Sequence, residues 1–316
     1  MRYAVTGGAG FIGSAIVKKL LDQPYNEVVV CDIGGSRPVY LDELQLDPKR
    51  VDLCVADVRD RSALEACFRG VHGVFHCAAY SKILDCIKNP DLAIDVNVKG
   101  TLNVLYAAKL NKVKRVVYSA SASVYGEMDY PGRITEYDYD RLRPMNIYGS
   151  TKYFGEVLCR QFSQSAPFKE FQTVSLRYFN VFGSELADAG KAPFPSVVER
   201  FLYARIHNQP LTITGDGKQR RDFVSVEDVV AANLRAMNDN GVLSGDVYNI
   251  GSGVDYSISE IAGLIGGPTV SVNPTYPEPT IMSGSIKRAI QYLGFEPTPN
   301  SLRDFILKMK QKYNLA

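Results

Sequence analysis

Thr6-Gly7-Gly8-Ala9-Gly10-Phe11-Ile12-Gly13 follows the apolar run Tyr3-Ala4-Val5 and opens a stretch where Ile12, Ala15, Ile16 and Leu20 recur at helical spacing. A strand that turns on glycines into a helix lets backbone approach a pyrophosphate, and the helix amino terminus adds N–H donors and positive partial charge. Gly7, Gly10, Phe11, Ile12 and Gly13 are therefore the expected contacts to a dinucleotide. Glycines alone would read as a tight turn; the second strand supplies the context. Val28-Val29-Val30-Cys31 ends at Asp32, where a carboxylate accepts hydrogen bonds from a ribose diol and repels a 2′-phosphate. NAD is favoured over NADP, although Arg37 keeps NADP open.

The same alternation continues outward. Leu53-Cys54-Val55, Val74-Phe75-His76-Cys77, Val116-Val117-Tyr118 and Thr173-Val174-Ser175-Leu176 are further short apolar runs. Their near-continuous apolar character predicts strands buried on both faces of a parallel sheet. The fold class is α/β: a Rossmann-type doubly wound parallel sheet with a smaller C-terminal α/β lobe. A long helix is expected near 148–165, and Tyr248-Asn249-Ile250 reads as a strand returning to the main sheet. After Phe182 glycine, proline and short mixed segments dominate, as in Lys191-Ala192-Pro193-Phe194-Pro195. The expected division is residues 1–181 plus about 224–252 for the dinucleotide-binding domain, and 182–223 with 253–316 for a substrate-binding lobe. Asp57-Val58 ends the third strand, where an acceptor reaches an adenine or simply meets solvent. Ala78 and Ala79 are small residues on the expected cofactor path.

Composition narrows the partners. Thirty-six basic and thirty-four acidic side chains leave a net charge of +2, which argues against nucleic acid or a membrane surface. The six cysteines form no C-x-x-C pair and do not cluster with the three histidines. The expectation is buried reduced thiols and no metal. The first strand leaves no room for a signal peptide, and no apolar run approaches a membrane span. A cytoplasmic location is expected.

Tyr148-Gly149-Ser150-Thr151-Lys152 puts a phenol and an ammonium at i and i+4, on one face of a helix. A cation beside a phenol favours the phenolate, a base usable near neutral pH. Nineteen tyrosines produce such spacing by chance, so location decides. The pair lies downstream of the hydroxyl-rich loop Ser119-Ala120-Ser121-Ala122-Ser123-Val124-Tyr125-Gly126, and strand ends on that side form the ligand crevice of an open α/β sheet.

These three motifs resemble the extended short-chain dehydrogenases/reductases of the NAD-dependent epimerase/dehydratase group. Asn97-Val98-Lys99-Gly100-Thr101, Arg177-Tyr178-Phe179-Asn180-Val181-Phe182-Gly183 and Gly215-Asp216-Gly217-Lys218-Gln219-Arg220-Arg221-Asp222-Phe223 narrow the resemblance to enzymes of nucleotide-activated sugars. It extends to Leu293-Gly294-Phe295-Glu296-Pro297. The resemblance implies Tyr148 as base, Lys152 as its electrostatic partner and ribose ligand, and Ser121, with Ser123 close by, as the catalytic hydroxyl. It adds Asn97 and Ser119 to the cofactor side. Asn180 and Arg221 are implied on the sugar diphosphate, as that anion's need for neutral donors and an Arg fork also suggests. Ser81, followed by Lys82, is implied beside the sugar or nicotinamide. A homodimer is implied too, through a bundle containing the Tyr148 helix. Phe154, Val157, Leu158 and Phe162 either supply that surface or face the sheet.

The resemblance also bears on the reaction. Related 4,6-dehydratases carry an acid pair after the catalytic hydroxyl, and related decarboxylases a glutamate at the position of Ser123; here the loop reads Ser121-Ala122-Ser123. What remains serves hydride and proton exchange at one carbinol carbon, which a nucleoside-diphosphate-sugar 4-epimerase, on a UDP-hexose, requires. An NDP-4-keto-sugar reductase or UDP-glucuronate decarboxylase is the alternative. The family's tail arginine is missing, since no arginine occurs between Arg235 and Arg288. Tyr276-Pro277-Glu278-Pro279-Thr280 occupies that region, and Met282 falls near the wall of the sugar's 2-substituent.

Overall fold

Tyr3, Ala4 and Val5 of the first strand are buried, and the computed structural model places that strand in the interior of a seven-stranded sheet. The structure describes residues 1–33, 47–127, 133–138, 142–164, 171–183, 196–238 and 244–315. In chain order the strands are β1 Arg2–Thr6, β2 Glu27–Asp32, β3 Val51–Val55, β4 Gly73–His76, β5 Arg115–Ser121, β6 Gln172–Tyr178, β7 Asn180–Phe182, β8 Leu211–Thr214, β9 Arg220–Ser225, β10 Asp246–Ile250, β11 Asp255–Ser257, β12 Thr269–Val272 and β13 Ile281–Met282.

The main sheet runs β10-β6-β5-β4-β1-β2-β3, and every pairing in it is parallel. Helix Phe11–Leu21 and helix Val226–Met237 pack on one face around Val5, Ile16, Phe75 and Val230. Helices Arg61–Cys67, Gly100–Leu110 and Ile147–Gln164 cover the other around Ala4, Val74, Leu105 and Cys159. Winding outward in both directions from β1 creates a switch point between β1 and β4, and the ligand crevice of such sheets opens at their carboxyl ends there. The expected helix near 148–165 runs Ile147–Gln164. Tyr248-Asn249-Ile250 returns as β10 beside β6.

A second sheet carries β11-β9-β13, with β7 paired to β9, and β8 and β12 form a separate pair. Helices Val197–Ile206, Ile258–Ile265 and Ser301–Lys312 enclose a separate core of Phe182, Phe201, Phe223, Ile261 and Met309. The polypeptide passes from β6 directly into β7, so the end of the main sheet and this second layer share one crevice.

Two expectations are corrected. β3 is the edge strand, and only its first residue is buried; Leu53 and Val55 are 68% and 75% exposed. An apolar run does not distinguish a two-sided interior strand from an edge strand whose outer face lacks a neighbour. The thiol expectation fails at one pair: Cys54 and Cys67 are disulfide-bonded, with Cα atoms 6.2 Å apart. Helix Arg61–Cys67 packs beside β2, the neighbour of β3, and its last residue reaches Cys54, so residues 13 apart in sequence meet without a C-x-x-C spacing. Cys31, Cys77, Cys86 and Cys159 are free. The Cys31 sulfur lies within 4.8 Å of the bonded pair, but two of those three possible metal donors are occupied by the disulfide.

Candidate active site

Gly7 adopts φ +65°, and a Cβ there would lie 2.6 Å from the Ala78 nitrogen. A Cβ on Gly13 would lie 2.1 Å from the Gly7 carbonyl oxygen. Both positions therefore exclude a side chain, and the loop packs directly against the end of β4. Gly10 is the N-cap of helix Phe11–Leu21 and, as a glycine, caps it with no side chain of its own. The Asp32 carboxylate accepts from Ala9 N–H at 2.9 Å and from Ile33 N–H at 2.8 Å, which fixes it beside the loop. Ala78 and Ala79 continue from β4 at the switch point. This cradle, helix end and carboxylate fit a dinucleotide with an unphosphorylated ribose. Arg37 lies outside the described residues.

Other residues expected on the cofactor have protein partners. Asp57 is held by Arg59, whose Nη2 donates at 2.6 Å, and this hydrogen bond keeps the carboxyl below its usual range. Val58 is buried against the position of Gly100. Asn97 is buried. Both amide hydrogens are donated within the protein, to Tyr80 O and Thr151 Oγ1 at 3.0 Å each, while Oδ1 accepts from Tyr80 N–H at 2.7 Å. It braces the helix bearing Tyr148 to the segment after β4. Asn97 sits in the wide helical turn Asp95–Lys99, an irregularity that re-aims side chains inside a helix.

Tyr148 and Lys152 lie in helix Ile147–Gln164 beside the end of β5. The Lys152 ammonium is buried, donates to Ser119 O at 2.8 Å, and stands 6.0 Å from the Tyr148 ring centre. Burial lowers Lys152 to about 8. Burial pushes the Tyr148 phenol up to about 12, and a hydrogen bond with Ser121 works against that rise. Ser121 Oγ accepts from Ser123 N–H and donates to Ser123 Oγ, both at 3.1 Å. Ser119 stands one layer behind: its hydroxyl donates to Cys77 Sγ at 3.3 Å and meets the Tyr178 hydroxyl at 3.2 Å.

A buried network holds the helix in place. Arg177 on β6 binds Glu156 in bidentate fashion at 2.8 and 2.7 Å, and its third arm donates to the Tyr125 hydroxyl at 2.7 Å. Tyr125 donates in turn to Asn249 Oδ1 on β10 at 2.7 Å. Fork-to-fork pairing of this kind is orientationally strict. Along the same helix Phe154 is exposed, Val157 and Leu158 are half-buried, and Phe162 belongs to the core.

A cavity of about 310 Å³ lies between β5, β7 and the second layer. Ser121 and Ser123 line it, as does Asn180, whose side chain has no partner among the described residues. Arg221 also lines it, buried, donating to Arg220 O at 2.8 Å and to Glu278 Oε2 at 3.2 Å. Strand alternation turns Arg220 the opposite way, onto Asp255 and Glu260. The basic pair thus divides into one cavity arginine and one surface arginine. Met282 lines the cavity as well. Ser81 is exposed and does not line it; Ile83 does. Sequence reasoning missed Thr151 as a brace and Arg200, Tyr276 and Glu278 as lining residues, because no local pattern marks side chains brought together from separate elements.

The profile of the NAD dependent epimerase/dehydratase family matches residues 3–251. A UDP-glucose 4-epimerase of Mycolicibacterium smegmatis is 32% identical over 311 residues, covering 94% of each chain. A UDP-glucose 4-epimerase of Thermotoga maritima, solved with UDP-glucose, superimposes with a TM-score of 0.86 at 29% identity, over 99% of this chain and 98% of that one. A UDP-glucuronic acid 4-epimerase of Bacillus cereus, solved with UDP-glucuronic acid and NAD, gives a TM-score of 0.84 at 28% identity, over 100% of this chain and 98% of the other. The chain belongs to the NAD dependent epimerase/dehydratase family, and its cofactor is NAD.

Proposed function

We propose that this NAD dependent epimerase/dehydratase inverts C4 of a nucleoside-diphosphate sugar, a UDP-hexose, through a transient 4-keto sugar. The observation that carries this reading is the cavity itself. Two serine hydroxyls, Asn180 and Arg221 line it, the Tyr148 phenol with its buried ammonium partner stands behind Ser121 and hydrogen-bonds it, and no carboxylate follows Ser121.

NAD, when bound, supplies the hydride acceptor and the donor that restores the sugar. The chain's own residues do the rest. Tyr148 takes the C4 hydroxyl proton and returns it, because its hydroxyl is paired with Ser121 on the cavity side. Lys152 stabilises the phenolate. Ser121 holds the reacting oxygen, with Ser123 fixing that hydroxyl. Asn180 and Arg221 bind the diphosphate, leaving the sugar end free to turn. Ala122 and Ser123, where dehydratases and decarboxylases place acids, leave no group to exchange protons at C5 and C6 or to assist loss of a carboxylate. We further propose a cytoplasmic homodimer; the exposed Phe154 on the Tyr148 helix supports a helix-to-helix contact.

The test is incubation with UDP-glucose, UDP-N-acetylglucosamine, UDP-glucuronate and their GDP and dTDP counterparts, with products analysed by NMR. C4 inversion with no net change in NADH absorbance is the expected result. Stoichiometric NAD(P)H consumption would instead establish a reductase, and release of carbon dioxide a decarboxylase.

A further inference from the structure

The cavity that Arg221 lines has a second cation in its wall. Arg200, in helix Val197–Ile206, lines the same space as Arg221. Its side chain is exposed and has no hydrogen bond or ion pair among the described residues. Arg221, by contrast, is occupied by Glu278. The two arginines and Glu278 converge on Tyr276: the phenol hydrogen-bonds Glu278 and is in electrostatic reach of both cations. The free protein thus has one cation neutralised by an internal carboxylate and a second that is unpaired.

An arginine at a cavity wall with no counter-charge raises the local concentration of anions and offers a planar fork to phosphate oxygens. An internal carboxylate on its neighbour is a competitor that an incoming diphosphate must displace. From these contacts we infer that Arg200 is the second diphosphate-binding cation, and that Glu278 is an internal competitor which lowers nucleotide affinity by holding Arg221. This inference rests on the nucleotide-sugar reading above. It also locates a group that reaches the diphosphate where the family's tail arginine is missing.

The test is calorimetric titration of the NAD-loaded protein and its variants with UDP, dTDP, GDP and UMP. Arg200→Gln is expected to weaken the preferred nucleoside diphosphate about tenfold, the loss of one charge-assisted fork, with a smaller effect on UMP. Glu278→Gln is expected to tighten the diphosphate several-fold. With the sugar nucleotide that is turned over, Arg200→Gln should raise KM and leave kcat within about twofold, as for a group whose contact is the same in ground and transition states. Equal diphosphate affinity in wild type and Arg200→Gln overturns the role of Arg200 while the nucleotide-sugar reading stands. Unchanged or weaker binding by Glu278→Gln overturns the competition. Failure of the wild type to bind any of the diphosphates removes both that reading and this inference.

Discussion

The ammonium nitrogen of Lys152 stands 6.0 Å from the centre of the Tyr148 ring. It donates a hydrogen bond to Ser119 O at 2.8 Å, so the charge is fixed beside the phenol and acts on it through its field. Burial sets both groups: it raises the phenol to about 12 and lowers the ammonium to about 8.

A falling limb in the pH profile follows. A lysine with a lowered pKa loses its charge as pH rises through about 8, and with it the stabilisation of the phenolate. In the NAD-loaded enzyme kcat/KM should decline above that pH. The Lys152→Met variant should be slow throughout and lack that limb. A wild-type profile flat up to pH 10 contradicts the assignment.

Removing the Tyr148 hydroxyl separates chemistry from cofactor binding. The Tyr148→Phe variant should lose about a hundredfold to ten-thousandfold in kcat, the range for a positioned general base. Its NAD content, measured on the denatured protein, should match wild type. Substantial residual turnover would make another group the base.

Gly13 tests the loop. An added Cβ lies 2.1 Å from the Gly7 carbonyl oxygen, which is backbone and has little room to yield. Gly13→Ala should therefore destabilise the fold by about 1–3 kcal/mol and abolish NAD retention, read by thermal unfolding and cofactor content. A variant with wild-type Tm and NAD would mean the loop has space that the structure denies.

His76 predicts sensitivity to acid. The buried ring lies between Thr6 Oγ1 at 2.7 Å and Thr101 Oγ1 at 3.0 Å. Thr101 donates its own hydrogen to Asn97 O at 2.6 Å, so it accepts from Nε2–H, and the ring is neutral. Burial, aided by the Lys152 charge, lowers its pKa from 6.5 to about 3. A basic group depressed on folding contributes stability that is full above pH 6.5 and is lost as pH falls toward 3. Between pH 7 and pH 4 the loss from this residue is on the order of 3 kcal/mol. Urea unfolding of wild type and His76→Gln at both pH values should show a shallower decline in the variant. The difference isolates His76 from Asp222, whose pKa, raised by burial to about 6, acts in the opposite sense. Equal declines in the two proteins would refute the assignment.

Local features were legible because their physics is local. The glycine loop, Asp32, the helix bearing Tyr148 and Lys152, and the serines after β5 each depend on chain geometry within one turn or strand. Arg221 could be singled out as an arginine, but strand alternation and the arrival of Glu278 from fifty-seven residues away decided that it faces the cavity already paired. The same distinction explains the misses. An apolar run does not state how many neighbours a strand will have, so β3 was read as an interior strand. Cysteine spacing does not reveal that the end of helix Arg61–Cys67 comes back to Cys54.

By itself the sequence determined the doubly wound α/β fold, the dinucleotide loop and the tyrosine–lysine pair, since periodicity, glycine and i, i+4 spacing are properties of the chain. Only the tertiary structure decided that Asn97 is a brace, that Cys54 and Cys67 are joined, and that Arg200 and Arg221 share one cavity with Tyr276 and Glu278. Those relationships depend on distances between residues far apart in sequence, which packing of the two layers sets and no local pattern encodes.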